Sequence, residues 1–250
     1  YLASIARPDI LVAGCGTGYQ LMMSRAGYES CRVTAIDLSR ASLGFAARKI
    51  AALELGDIRL LQADILDLDA LDATFDIIEA VGVLHHMKDP REGWRMLARK
   101  LRPGGVMSIA LYSRIARRGI QAVCDWASTK GFAPTREGIL AFRQAALAIL
   151  RDPRHPDHAM MQAAGLTASV DFYAVSGCRD LIFHPQEQAF TIPEIARIIA
   201  ELGLTFRGFT LPSPAFANAY RSRFPGEPTG LDLGNWDIFE RENSALFAGM

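Results

Sequence analysis

The sequence predicts an α/β fold, a doubly wound and mostly parallel sheet with helices on both faces. Two patterns carry this prediction. Short apolar runs at residues 10–14, 32–37, 58–62, 75–81 and 106–111 alternate with stretches of helical periodicity, which is the trace that right-handed βαβ crossovers leave in a chain. The first run also ends in glycines, Gly14-Cys15-Gly16-Thr17-Gly18, as a strand must when it turns tightly into a helix.

The elements follow in order. Residues 18–26 read as a helix. Ser39 is placed to cap a second helix that carries Leu43, Ala46, Ala47 and Ile50 on one face. Pro90 suits the first turn of a third, with Trp94, Leu97 and Leu101 at helical spacing. Arg102-Pro103-Gly104-Gly105 reads as a turn before the fifth strand. Beyond it the pattern changes, with amphipathic helices predicted over 113–130 and 135–151, the latter capped by Thr135, and a shorter one over 157–164. Three regions result: 1–112 as the ligand-binding half of the domain, 113–192 as a helical insertion covering the substrate side, and 193–250 as a C-terminal return to the sheet. That return consists of a helix over 193–202, a strand over 204–211, a Pro- and Gly-rich loop over 212–235 and a helix over 237–246.

Composition narrows the function. The chain has 250 residues, half of them hydrophobic, and 27 Lys plus Arg balance 27 Asp plus Glu. Such a chain buries a full core, and no net field draws it to nucleic acid or an anionic membrane. Arg114, Arg117 and Arg118 form the densest basic spot and read as one solvated helix face. Cys15, Cys31, Cys124 and Cys178 form no CxxC pair and have no histidine at ligand spacing. No metal site or disulfide framework is therefore expected, and a cytoplasmic location fits. The chain starts at Tyr1, almost directly at a strand, so a fragment of a longer protein is expected.

The glycine turn gains meaning from Asp37, which closes the second strand where a carboxylate can accept from both hydroxyls of a ribose. Dinucleotide-binding proteins share that arrangement, so an NAD-dependent oxidoreductase is one alternative. Their G-x-G-x-x-G fingerprint would put a third glycine at position 19, which is Tyr19. Asp64 closes the third strand in Gln62-Ala63-Asp64-Ile65, where the acid can accept from an adenine amino group and the Ile65 amide can donate to the ring.

Taken as a set, residues 10–18, Ile36-Asp37, 62–65, 75–86 and 101–105 resemble the ordered motifs of class I S-adenosylmethionine-dependent methyltransferases. Residues 178–184 and 190–193 resemble the C-terminal part of bacterial methyltransferases fused to tetratricopeptide repeats. The resemblance implies a seven-stranded Rossmann-like sheet, with 204–211 as the sixth strand and 247–250 beginning the seventh. It also implies N-terminal helices ahead of this chain that cover the cofactor. The cofactor is then S-adenosyl-L-methionine. Gly14, Gly16 and Gly18 pack on its methionine and ribose, Asp37 holds the ribose, and Leu38 lines the adenine. Asp64 and Ile65 read the adenine edge, and the backbone at Ala80 and Val81 faces the methionine amine and methyl.

Methyl transfer is an in-line displacement that needs alignment and desolvation more than a conspicuous catalytic residue. His85 and His86 are the candidate bases, His85 first; otherwise one of the two packs on the cofactor and the other caps or orients the loop. Glu79, late in a buried strand, either bonds the cofactor amine or satisfies neighbouring backbone. Tyr112, Tyr173 and His184 are candidates for the acceptor pocket, and ordinary packing is the other reading of Tyr112. The acceptor is a small molecule or a protein side chain, with no nucleic acid or membrane partner expected. From a different class, the chain could be a non-catalytic cofactor-binding or scaffold module.

Overall fold

Ile10, Leu11 and Val12 are almost wholly buried and form the central strand β1 (Asp9–Ala13). Each aliphatic side chain buried this fully contributes roughly 1.5–3 kcal/mol. The computed structural model describes residues 5–28 and 30–249. Among them the chain forms two compact units. One runs to Leu111 and includes Ile198–Leu204, and the other holds Tyr112–Arg197 and Thr205–Gly249.

In the first unit, β1, β2 (Arg32–Asp37), β3 (Ile58–Gln62), β4 (Phe75–Val81) and β5 (Leu101–Ala110) form a parallel sheet in the order β3-β2-β1-β4-β5. The order reverses between β1 and β4, and in open α/β sheets ligands bind outside the strands' carboxyl ends at that point. α1 (Tyr19–Ala26) and α2 (Arg40–Ala52) link the first three strands. Their Leu21 and Leu43 pack with Ile10, Val12, Val33 and Ala35 on one face. The Ser39 hydroxyl accepts from the Ser42 amide at 3.2 Å, as a cap should. α3 (Pro90–Lys100) opens with Pro90 behind an Asp89 cap that accepts from the Arg91 and Glu92 amides. The predicted turn at 102–105 is absorbed into β5 as a bulge. Leu101 pairs with Phe75 and Val106 with Ile77, and Gly104 takes up the extra residues at φ 80°.

The second unit is mainly helical: α4 (Arg118–Thr129), α5 (Arg136–Arg151), α6 (His158–Ala163) and α7 (Val175–Phe183). Val123, Ile139, Phe142, Phe172 and Cys178 are central to their common core. Two-residue strands β6 (Tyr112–Ser113) and β7 (Ala189–Phe190) pair in parallel. α8 (Ile192–Glu201) follows, then α9 (Pro214–Arg223) and α10 (Leu233–Glu242).

The C-terminal expectations need correction. No sixth or seventh strand joins the sheet among the described residues, so it has five strands rather than seven. Residues 204–211 stay unpaired, because Gly208 at φ 118° breaks the extended run. Phe206, Phe209 and Leu211 instead pack into an aromatic cluster around Trp236. Phe247 ends a 3-10 turn (Ser244–Phe247) and its ring joins the same cluster, while Met250 lies outside the described residues. The expected loop at 212–235 contains α9, opened by a Ser213 cap and Pro214 in the first turn. Among the described residues, no helix is long and apolar enough to cross a membrane.

Candidate cofactor site

The glycine turn is held open by its backbone. Gly14, Gly16 and Gly18 sit at φ 71°, 51° and 91°, the left-handed region that side chains disfavour. At Gly14 space adds a second reason, since a Cβ there would lie 2.5 Å from the Val83 methyl. The turn is tied to β2: the Gly14 and Cys15 amides both donate to the Ile36 carbonyl at 2.9 Å. Cys15 is buried, and burial pushes its thiol up to about 11, so it packs as a protonated thiol rather than reacting.

Asp37 links turn and helix. Its Oδ2 accepts from the Gly16 amide at 2.7 Å and its Oδ1 from the Ser39 amide at 2.8 Å. A carboxylate has about four acceptor positions, so each oxygen keeps capacity for a ribose hydroxyl. Asp64 caps a 3-10 turn (Ile65–Ala70) by accepting from the Leu66 amide at 2.9 Å, and one of its oxygens remains for a ligand. Leu38 is 65% exposed although apolar, and the Gln62 side-chain amide donates to its carbonyl.

These residues surround one cavity of about 210 Å³, lined by Gly14, Ile36, Asp37, Leu38, Ala63, Asp64, Ile65, Val83 and Met87. It therefore gathers Gly14, Asp37, Leu38, Asp64 and Ile65 from the sequence-predicted set. Gly16 and Gly18 shape the turn without lining the cavity. Ala80, fully buried, and Val81, half-buried, form the end of β4. Val83 and Met87 were missed, although they flank the Leu84-His85-His86 motif. A larger cavity, about 580 Å³, lies at the opposite, amino-terminal end of the strands among Asp9, Arg32, Arg59 and Arg102. The smaller one is the candidate, because it sits at the carboxyl ends beside the switch point.

Glu79 meets side chains of α1 rather than neighbouring backbone among the described residues. Its Oε2 accepts from the Gln20 side-chain amide at 2.6 Å and from the Ser24 hydroxyl, both on α1. His85 is 1% exposed, with its ring 4.1 Å from that of half-buried His86.

Tyr112, Tyr173 and His184 belong to the second unit. Tyr112 is half-buried beneath the Arg117 guanidinium, 3.8 Å from its ring centroid. Burial raises its phenol pKa, and the nearby acids Glu187, Asp180 and Asp171 add to the rise against Arg117. Tyr173 is exposed, and its hydroxyl donates to the Thr167 carbonyl at 3.0 Å. The His184 ring nitrogen meets the backbone of Gln186. The basic spot is not one uniformly solvated helix face, although Arg114 and Arg118 are exposed. Arg117 is buried and paired in fork geometry with Glu187, and Arg114 pairs with Glu194 at 2.8 Å.

A family profile described as "Methyltransferase domain" matches residues 11–107, the stretch that holds the glycine turn, both acids and β4. An uncharacterized protein of Synechococcus, syc1184_c, is 32% identical over 225 residues, covering 82% of this chain and 49% of that protein. The O-methyltransferase resE of Aspergillus sclerotiorum is 36% identical over 110 residues, 44% of this chain and 41% of its own length. The solved structure of PKMT2 from Rickettsia typhi superposes with a TM-score of 0.73 at 15% identity, covering 96% of this chain and 47% of that one. That likeness shows the fold. The chain spans about half the length of the relatives it matches. Residues 11–107 thus match a methyltransferase-domain family.

Proposed function

We propose that the chain transfers a methyl group from S-adenosylmethionine to a small molecule or a protein side chain. The observation that carries this reading is the cavity bounded by Gly14, Asp37, Leu38 and Asp64 at the switch point. The donor, when bound, supplies an electrophilic methyl on a sulfonium, open to in-line attack. The chain's own residues bind and align. Asp37 takes the ribose hydroxyls, Leu38 covers the adenine, and Asp64 with the Ile65 amide reads its edge. The bare backbone of Gly14, Gly16 and Gly18, with that of Ala80 and Val81, leaves room for the amino-acid end.

A base role for His85 requires its imidazole to reach an acceptor. Burial to 1% exposure favours the packing reading of His85 over a base role. Tyr112, Tyr173 and His184 are the side chains proposed to meet the acceptor. Relatives named O-methyltransferases make an oxygen nucleophile the first to test. The resemblance to methyltransferases fused to tetratricopeptide repeats extends the proposal to a longer parent that carries such repeats. An NAD-dependent oxidoreductase is disfavoured by Tyr19, which stands exposed where a fingerprint glycine would be.

Calorimetry with S-adenosylmethionine tests the reading. Asp37→Ala removes the charge-assisted bonds to the ribose and also unpins Gly16, so affinity should fall on the order of 100-fold. Unchanged affinity in the variant would sink the assignment of Asp37. Binding by the wild type without methyl transfer to any acceptor in a cell extract would favour a non-catalytic module.

A further inference from the structure

The outward face of α2 has a composition that water alone does not explain. Leu43, Ala46 and Ile50 turn inward at helical spacing, and Leu43 and Ala46 are buried. The exposed positions of the helix are three cations, Arg40, Arg48 and Lys49, one ring, Phe45, and otherwise alanine. A face turned to water normally mixes acids and neutral polar groups with its bases. Neither α1 nor α2 contains an acid, in a chain whose acids and bases are equal in number.

The charge is also uncompensated within the fold. Elsewhere in the first unit Arg7 pairs with Asp57, Arg95 with Glu92, Arg99 with Asp69 and Arg102 with Asp76. Arg40, Arg48 and Lys49 take part in no ion pair among the described residues. Two of them sit over a ring instead. Arg48 Cζ lies 5.5 Å and Lys49 Nζ 4.9 Å from the Phe45 ring centroid, yet Phe45 stays 39% exposed. α1 lies beside α2, since Leu21 and Leu43 share one core and a Cβ on Gly18 would come within 3.1 Å of the Ala46 methyl. Tyr19 and Met23, one turn apart on α1, are exposed as well.

We infer that the α1–α2 face is a docking surface for an anionic lipid bilayer. The helices lie in the plane of the interface, with Phe45, Tyr19 and Met23 toward the acyl boundary and the cations on lipid phosphates. Three cations near such a surface favour binding on the order of 100-fold. The balanced charge of the whole chain does not oppose this, because the attraction falls off within a Debye length, about 8–10 Å. Nucleic acid would match the cations equally well, but it would leave Met23 and the alanines in water, where a bilayer buries them.

Cosedimentation with vesicles tests the inference. At low salt, phosphatidylcholine vesicles containing about 30% phosphatidylserine should bind the chain about tenfold or more better than phosphatidylcholine alone. Raising the salt to about 0.5 M should remove the difference. The double variant Arg48→Gln, Lys49→Gln should lose about tenfold or more on the anionic vesicles. Phe45→Ser, which keeps every charge, should lose about threefold. No binding to the anionic vesicles, equal binding to both kinds, or full binding by both variants overturns the bilayer surface. Equal capture of the wild type by a short DNA duplex at the same salt overturns it too, by showing plain attraction to a polyanion.

Discussion

The two units hold their polar groups in different ways. In the first, backbone amides meet the two strand-end acids, Gly16 and Ser39 on Asp37 and Leu66 on Asp64, while Glu79 inside β4 is held by side chains of α1. In the second, side chains meet side chains across long stretches of sequence. Arg117 pairs with Glu187, 70 residues on, and the Trp126 indole donates to Asp157, 31 residues on. A parallel sheet with right-handed crossovers converts order along the chain into place in space. Helix packing makes no such conversion, since the same apolar faces fit several arrangements. The first unit is therefore a site that local motifs can specify, and the second is a scaffold specified by its core.

That contrast is easiest to break at the aromatic cluster. Trp236 is 2% exposed, stacks on Tyr220 at 4.0 Å and donates its indole N–H to the Gly230 carbonyl at 2.9 Å. Trp236→Ala leaves a large void and an orphaned acceptor, so chemical denaturation should show a loss of about 3–5 kcal/mol. A loss below about 1 kcal/mol would mean that this cluster is not a core. In the first unit the corresponding stress is Gly14→Ala. There the added methyl meets Val83 at a positive φ, and the strain amounts to roughly 1–3 kcal/mol. S-adenosylmethionine binding should weaken about tenfold or more in calorimetry, because relief of the strain displaces the turn. Normal binding by the Gly14→Ala variant would show that the turn tolerates a side chain.

The same contrast explains what the sequence disclosed. Strands β1 to β4 and Asp37 were legible because buried apolar runs, glycines and strand-end acids fall at fixed steps along the chain. Helices α4 to α6 were legible from their periodicity. The strand expected at 204–211 was not formed, because alternation predicts a face to bury and not what covers it. Phe206 and Phe209 found aromatic rings rather than a strand edge. The role of Arg117 was hidden for a related reason: a basic cluster gives no sign of a glutamate 70 residues away. Val83 and Met87 reach the cavity because the chain bends back after β4 at Gly82, φ 75°. That bend is geometry rather than composition.

The smallest expected effects concern pH and have opposite signs in the two units. Asp9, at the amino-terminal edge of the sheet, hydrogen-bonds Arg32, and this holds its carboxyl below the usual range. Arg102 adds to the depression, against a partial desolvation. Stability from Asp9 is therefore present above the unfolded carboxyl pKa and lost as pH falls through the folded one. Glu240 of α10 is 1% exposed. Burial raises its pKa, Asp237 adds to the rise, and a bond with Ser113 and the charge of Arg241 oppose it. Its Oε2 has no partner among the described residues. With a raised folded pKa, its contribution is full below the unfolded value, about 4.3, and is lost as pH rises through the folded one. Glu240→Gln should therefore flatten the fall in unfolding free energy just above that pH by at most about 1.4 kcal/mol per pH unit. Asp9→Asn should flatten the fall on the acid side instead. Denaturant titrations across a range of about pH 3–8 measure both slopes. If Glu240→Gln leaves the wild-type slope intact, the buried acid is compensated in the folded chain by a group beyond Ser113 and Arg241.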